Sequence, residues 1–286
     1  MGDSVTICEV SPRDGLQNEK TYVATEDKVR LIDLLSAAGL RYIEVASFVS
    51  PRLVPQMADG SEVMARITRR EGVTYAALVP NERGYEAAMA ARVTEVTVFA
   101  AASETFSHRN INCSIDESLD RYAGICRRAS RDGMTVRGYV SCVVACPYEG
   151  PIKPEAVLDV AARLHGMGCR EISLGDTIGV ATPGDIAALL DMILPHIPPT
   201  TFAGHFHDTH DRALDCIREA LSYGLRVFDS SVGGAGGCPF APGAKGNVAT
   251  ERVVDLLEGL NYATGVSVTA LSDASRWMAG LMGRRP

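Results

Sequence analysis

The chain has 286 residues, 46% of them hydrophobic and 22% charged, with 28 basic against 35 acidic side chains for a formal charge of −7. That apolar fraction builds a sizeable core and excludes intrinsic disorder, and the length fits one large α/β barrel or two ordinary domains. A pI near 5.4, with no dense Lys/Arg run, argues against a protein that neutralises nucleic-acid phosphates or anionic lipid, so small-molecule partners are expected.

No apolar run approaches the roughly 18 residues of a spanning helix, and MGDSVTICEV has no basic n-region. The expectation is a cytoplasmic protein with no membrane contact. The eight cysteines (Cys8, Cys113, Cys126, Cys142, Cys146, Cys169, Cys216, Cys238) form no C-x-x-C pair and read as free thiols of a reducing compartment.

In chain order, VTICEV from Val5 is the first predicted strand, followed by the turn SPRDGLQNEK. EDKVRLIDLLSAAG from Glu26 carries apolar residues at helical spacing and stops at Gly39. RYIEVA from Arg41, VTYAALV from Val73 and TEVTVFA from Thr94 are the next strands, and IDESLDRYAGICRRASRDG from Ile115 is a helix ended by Gly133. TVRGYVS from Thr135 is the fifth strand, and the helix PEAVLDVAARLHGMG from Pro154 stops at Gly168. REISLGD from Arg170, TTFAGHFH from Thr200 and RVFDSSV from Arg226 complete eight strands, and residues 248–258 form the last helix of the repeat.

Eight βα units of about 32 residues close most naturally into a (β/α)8 TIM barrel. A doubly wound open sheet would show a glycine-rich dinucleotide loop after the first strand, where this chain has one glycine. The expected organisation is a single catalytic domain over residues 1–286, with the barrel over about 5–260 and an accessory C-terminal helical segment over about 261–286 that carries the lone Trp277. That segment covers the outside of the barrel or makes an oligomer contact.

In such a barrel the reactive residues stand at the C-terminal strand ends and in the loops that follow. The seventh strand ends in His205-Phe206-His207, and side chains two apart on a strand share a face, so both imidazoles can reach one ion. Alone, the pair is equally readable as two hydrogen-bonded interior histidines. The first strand is followed by Arg13-Asp14, and the loop after the eighth ends at Asn247. Closure makes strands seven, eight and one neighbours, so Asp14, His205, His207 and Asn247 can form one oxygen and nitrogen site suited to Mg2+ or Mn2+. Taken singly, Asp14 also reads as a turn residue and Asn247 as the cap of the helix behind it.

Cys238 lies in the glycine-rich stretch GGAGGCPFAPGAKGN, as expected of a lid, and its thiol can act as nucleophile or proton donor. Arg13 is placed to stabilise negative charge developing on an oxygen, or to pair with Glu44 or Asp176. Those two acids end the second and sixth strands. Glu44 can hold Arg13; Asp176 can orient substrate or a bound water; either can be structural.

The stretches EVSPRDGLQNEK, SFVSPRLVPQMAD, RGYVSCVVACPYEG, EISLGDTIGVATPG, HFHDTH and GGAGGCPFAPGAKGNVATE resemble, in order and over nearly the whole chain, those of the 3-hydroxy-3-methylglutaryl-CoA lyase family. Related synthase and aldolase barrels share the Arg-Asp and His-x-His elements but not the Gly-Gly-Cys-Pro-x-Ala-Pro-Gly run. The resemblance implies a divalent-metal-dependent retro-Claisen cleavage of the acyl-CoA to acetyl-CoA and acetoacetate, in leucine degradation or ketone-body formation, by a homodimer. It implies Asp14, His205, His207 and Asn247 as metal ligands, Arg13 as enolate stabiliser, Cys238 as proton donor, and Lys20 and the stretch from Ser47 beside the acyl-CoA entrance. Gly233, Ala235 and His108-Arg109 depart from the family's usual residues and bear on the acyl substituent accepted. A condensing acyltransferase that joins acetyl-CoA to a 2-oxo acid is the competing activity.

Overall fold

The computed structural model describes residues 3–19, 21–236 and 246–283. Among these, eight strands form a closed barrel: β1 Thr6–Glu9, β2 Tyr42–Ser47, β3 Thr74–Leu78, β4 Glu95–Ala101, β5 Thr135–Ser141, β6 Glu171–Asp176, β7 Phe202–Phe206 and β8 Val227–Ser230. Every neighbouring pair runs parallel, and β1 pairs with both β2 and β8 to close the ring. Each of the eight sequence runs therefore carries one barrel strand. The seventh starts two residues later than its pattern, because Pro199–Thr201 forms a 3-10 turn, and His207 lies just beyond the strand.

Helices α1 Thr25–Ala37, α2 Gly60–Arg66, α3 Glu82–Ala90, α4 Glu104–Ile111, α5 Ile115–Asp132, α6 Pro154–Gly166, α7 Pro183–Ile193, α8 Ala213–Ser222, α9 Thr250–Gly259 and α10 Val268–Leu281 complete the chain. The start and stop of α5 show how local chemistry sets these bounds. Ser114 and Glu117 form a reciprocal capping box at its start, and Gly133, at φ 69°, takes up the left-handed turn that ends it. The last helix of the repeat begins at Thr250 rather than at residue 248, since 247 and 249 pair in β-bridges with His207 and Ser231.

Two features escaped the sequence patterns: α4, which intervenes between β4 and α5, and a short hairpin pairing Ala145–Cys146 with Gly150–Pro151. The accessory segment covers the outside of the barrel. There α10 packs on α1, with Trp277 Nε1 donating to the Asp27 carbonyl at 3.2 Å and the Arg30 guanidinium stacked 3.9 Å from the indole. None of the described helices is long and apolar enough to cross a membrane. The seven described cysteines are buried and form no disulfide with one another.

The aliphatic core fills the space between barrel and helices, whereas the barrel interior holds a polar layer. Arg137 in β5 is fully buried and binds Glu171 at 2.6 Å and Asp229 at 2.6 and 3.2 Å. Buried charges persist only when paired and hydrogen-bonded in this way. That layer lies directly beneath the rim where the candidate residues gather.

Candidate active site

After β1 the backbone tightens into a π-helical turn, Ser11–Gly15, in which the N–H groups of Arg13, Asp14 and Gly15 all donate to the Val10 carbonyl. The turn holds Arg13 and Asp14 beside the end of β7, which supplies His205, and His207 follows one residue past the strand. Asn247 reaches the same place through its β-bridge with His207. Barrel closure thus brings the three chain segments together as their order predicts.

One ligand atom from each of Asp14, His205 and His207 lies within 4.8 Å of the others, and the two imidazoles direct Nε2 toward Nε2 at 3.2 Å. The Asn247 amide nitrogen donates to Asp14 Oδ2 at 2.8 Å and to the Ala235 carbonyl at 3.1 Å. That leaves its amide oxygen as the electron-pair donor. Arg13 is clamped between Glu44 at 2.5 Å and Asp14 at 2.6 Å, and Thr97 donates to the other Glu44 oxygen at 2.7 Å. The geometry places Glu44 as the holder of Arg13.

Burial opposes every charge here, and the pairs decide the outcome. The Asp14 carboxyl is raised by burial, but the charges of Arg13 and His205 and the Asn247 hydrogen bond outweigh this and hold it at about 2. Burial and the neighbouring His205 charge push His207 down to about 4, so it stands neutral at pH 7 with one ring nitrogen's lone pair for a cation. Burial would also lower His205, yet its hydrogen bond to Asp229 and the charge of that carboxylate raise it above the usual imidazole value.

Asp229 is the residue sequence reasoning missed. It accepts from His205 Nδ1 at 3.0 Å, from Ser173 Oγ at 2.8 Å and from Arg137, which fixes the tautomer that leaves Nε2 facing Asp14 and His207. The available signal was a single arginine inside TVRGYVS and a single aspartate inside RVFDSSV, each a charge within an otherwise buried strand.

A cavity of ≈ 670 Å³ opens over these groups, within the usual size of small-molecule sites. Arg13, Asp14, His205 and His207 line it together with Ser47 and Tyr139. Ser47 Oγ and Tyr139 Oη are buried without a hydrogen-bond partner among the described residues.

The sequence leaves Asp176 either to orient substrate or a bound water or to be structural, and the structure shows its loop contacts. Its two oxygens accept the backbone N–H groups of Val180 and Ala181 at 3.2 and 2.8 Å, and it does not line the cavity. These bonds tie the carboxylate to the loop that follows its strand. Lys20 and Cys238 lie outside the described residues. The glycine-rich stretch around Cys238 leaves from Gly236 and returns at Gly246, and a Cβ on Gly236, at φ 95°, would stand 2.8 Å from Asn247 Nδ2 and 3.1 Å from the Asp14 carbonyl. Its departure point is therefore packed on the candidate ligands.

The HMGL-like family model matches residues 4–278. The chain is 55% identical, over 98% of its length and 93% of the relative's, to a 3-hydroxy-3-isohexenylglutaryl-CoA/hydroxymethylglutaryl-CoA lyase of Pseudomonas aeruginosa. It is 52% identical to the mitochondrial hydroxymethylglutaryl-CoA lyase of Macaca fascicularis, over 98% of this chain and 86% of that one. A crystal structure of a hydroxymethylglutaryl-CoA lyase from Pseudomonas aeruginosa superimposes with a TM-score of 0.97 at 54% identity, covering 100% of this chain and 95% of the other.

Proposed function

The chain belongs to the HMGL-like family, and we propose that it is a carbon–carbon lyase that cleaves 3-hydroxy-3-methylglutaryl-CoA to acetyl-CoA and acetoacetate with a bound Mg2+ or Mn2+. The observation that carries this reading is the meeting of Asp14, His205 and His207 with Arg13 on the floor of one cavity. Near-full-length similarity to lyases of that name supports it.

The donor set fits a divalent cation. It offers an aspartate oxygen, two imidazole Nε2 atoms already facing one another and an amide oxygen from Asn247, with no thiolate among the described donors. When bound, such an ion supplies a Lewis acid for the substrate's hydroxyl and carboxylate oxygens. The remaining chemistry falls to the chain. Cleavage beside a tertiary alkoxide needs an acceptor for the hydroxyl proton, a partner for the thioester enolate oxygen and an acid that quenches the carbanion.

Asp14, His205 or a bound water accepts the first proton. Arg13, immobilised by Glu44, presents fixed N–H donors to the enolate oxygen, and pre-set donors of this kind need no reorganisation as charge develops. Cys238 supplies the second proton from the loop rooted beside Asp14 and Asn247. The orphaned Ser47 and Tyr139 oxygens offer hydrogen bonds to the acyl chain, and Lys20 belongs to the acyl-CoA entrance. We further propose a single catalytic domain acting as a homodimer in the cytoplasm.

A second reading concerns the substituent on C3. The cavity wall beyond the polar floor includes Val54, Leu78, Phe99 and Phe106, and the Pseudomonas aeruginosa relative is named for a longer substituent as well as for methyl. Purified protein with Mg2+ or Mn2+, offered the methyl and the isohexenyl substrate, separates the two by comparison of kcat/KM. Acetoacetate from the methyl substrate supports the proposal. No acetoacetate, together with condensation of acetyl-CoA onto a 2-oxo acid, overturns it.

A further inference from the structure

Glu9 ends β1 as a fully buried carboxylate that does not line the cavity. Its Oε1 accepts two backbone N–H groups, Ser11 at 3.0 Å and Val232 at 3.0 Å, and its Oε2 accepts Thr250 Oγ1 at 2.6 Å. Thr250 is in turn 2.8 Å from Ser230 Oγ. Ser11 opens the turn that carries Arg13 and Asp14, Val232 opens the 3-10 turn from which the glycine-rich stretch departs, and Thr250 starts α9, three residues beyond Asn247.

These segments also touch. A Cβ on Gly15 would lie 3.0 Å from Ser231 Oγ and 3.2 Å from the Ala235 methyl, so the turn and the loop root fit together with no slack. We propose that Glu9 is a positioning residue for the reaction, one oxygen of which fixes the root of the Cys238 loop against the turn bearing Arg13 and Asp14. The inference rests on the lyase reading above, in which the proton donor must meet a substrate held by that turn.

What the site requires of Glu9 is an acceptor with the right reach. Two N–H groups converge on a single oxygen, and burial pushes the carboxyl up to about 7 in spite of the hydrogen bonds it receives. An amide oxygen can take the same two N–H groups while its nitrogen donates to Thr250 Oγ1. An aspartate, shorter by one C–C bond of about 1.5 Å, withdraws from both.

The test compares Glu9→Gln with Glu9→Asp. Glu9→Gln is expected to stay near wild type in kcat, KM and metal affinity. Glu9→Asp, which keeps the charge, should lower kcat by about ten- to a hundredfold, the scale of a misplacement near 1 Å, at nearly unchanged KM and metal affinity. Amide hydrogen exchange should quicken at residues 11 and 232 in Glu9→Asp while β5 stays protected. Wild-type kcat in Glu9→Asp, or equal impairment of Glu9→Gln, overturns the proposal, as does a parallel fall of kcat, metal affinity and melting temperature. The exchange measurement separates the two readings: a wild-type protein that forms no acetoacetate overturns the lyase assignment, while quickened exchange confined to residues 11 and 232 still upholds the tie.

Discussion

Asp229→Asn removes one charge from beneath the site, and the hydrogen bonds predict what each half of the amide will do. Among the described residues, Oδ2 receives Ser173, His205 Nδ1 and one Arg137 nitrogen at 2.8, 3.0 and 3.2 Å, whereas Oδ1 receives only Arg137 Nη2, at 2.6 Å. The asparagine oxygen therefore settles where three donors converge, and its NH2 faces Arg137 Nη2, donor against donor. Breaking a buried pair costs about 3–5 kcal/mol, and the lower end applies because Arg137 retains Glu171 at 2.6 Å. A domain of ordinary stability, about 5–15 kcal/mol, survives that loss.

His205 keeps a neutral acceptor on Nδ1 but loses the carboxylate that raises its basicity. Changes to such a partner cost about 10–100-fold in metal affinity, and the retained hydrogen bond favours about tenfold. Calorimetric titration with Mn2+ measures the affinity, and urea unfolding of the metal-free protein measures the stability. Unchanged affinity in a variant destabilised as expected would show that Asp229 serves Arg137 alone, and would refute its role behind His205.

Arg13→Met should lower kcat by at least about a hundredfold, the scale of losing one oxyanion-type donor, while metal binding is largely retained; a normal kcat removes Arg13 from the mechanism. Metal affinity should fall as the pH falls, because the hydrogen bond to Asp229 and its charge make His205 hold a proton more tightly than an ordinary imidazole, and the cation must displace it. The expected loss is about tenfold per pH unit once the pH is below the raised His205 value, steepening below the His207 value of about 4, and it is read from affinity and proton release across buffers. An affinity flat between pH 7 and 5 contradicts the histidine ligands. Cys238→Ser should keep fold and metal yet turn over far more slowly, and substrate should protect wild-type Cys238 from alkylation; wild-type turnover in the variant excludes the thiol.

The rim of the barrel was legible in the sequence because two rules act on it at once. Strand periodicity locates each C-terminal end, and barrel closure makes the first, seventh and eighth ends neighbours, so Asp14, His205, His207 and Asn247 converge without any knowledge of register. Asp176 satisfies the first rule equally well, but the composition of DTIGVA does not reveal that the loop turns its own N–H groups back onto the carboxylate. Asp229 and Arg137 lie 92 residues apart on strands that are not neighbours, and they meet only across the filled interior, where strand tilt and stagger set the height of each side chain. No local pattern encodes that height. What local pattern does encode is the anomaly: one arginine in a strand buried on both faces has to find a carboxylate. RVFDSSV, at the end beside the histidine strand, offers one at the inward position. Unexplained charges inside barrel strands therefore point to the groups that hold the reactive side chains, and Glu9, the last of the three buried residues that follow exposed Thr6 in TICE, is such a charge at the first strand.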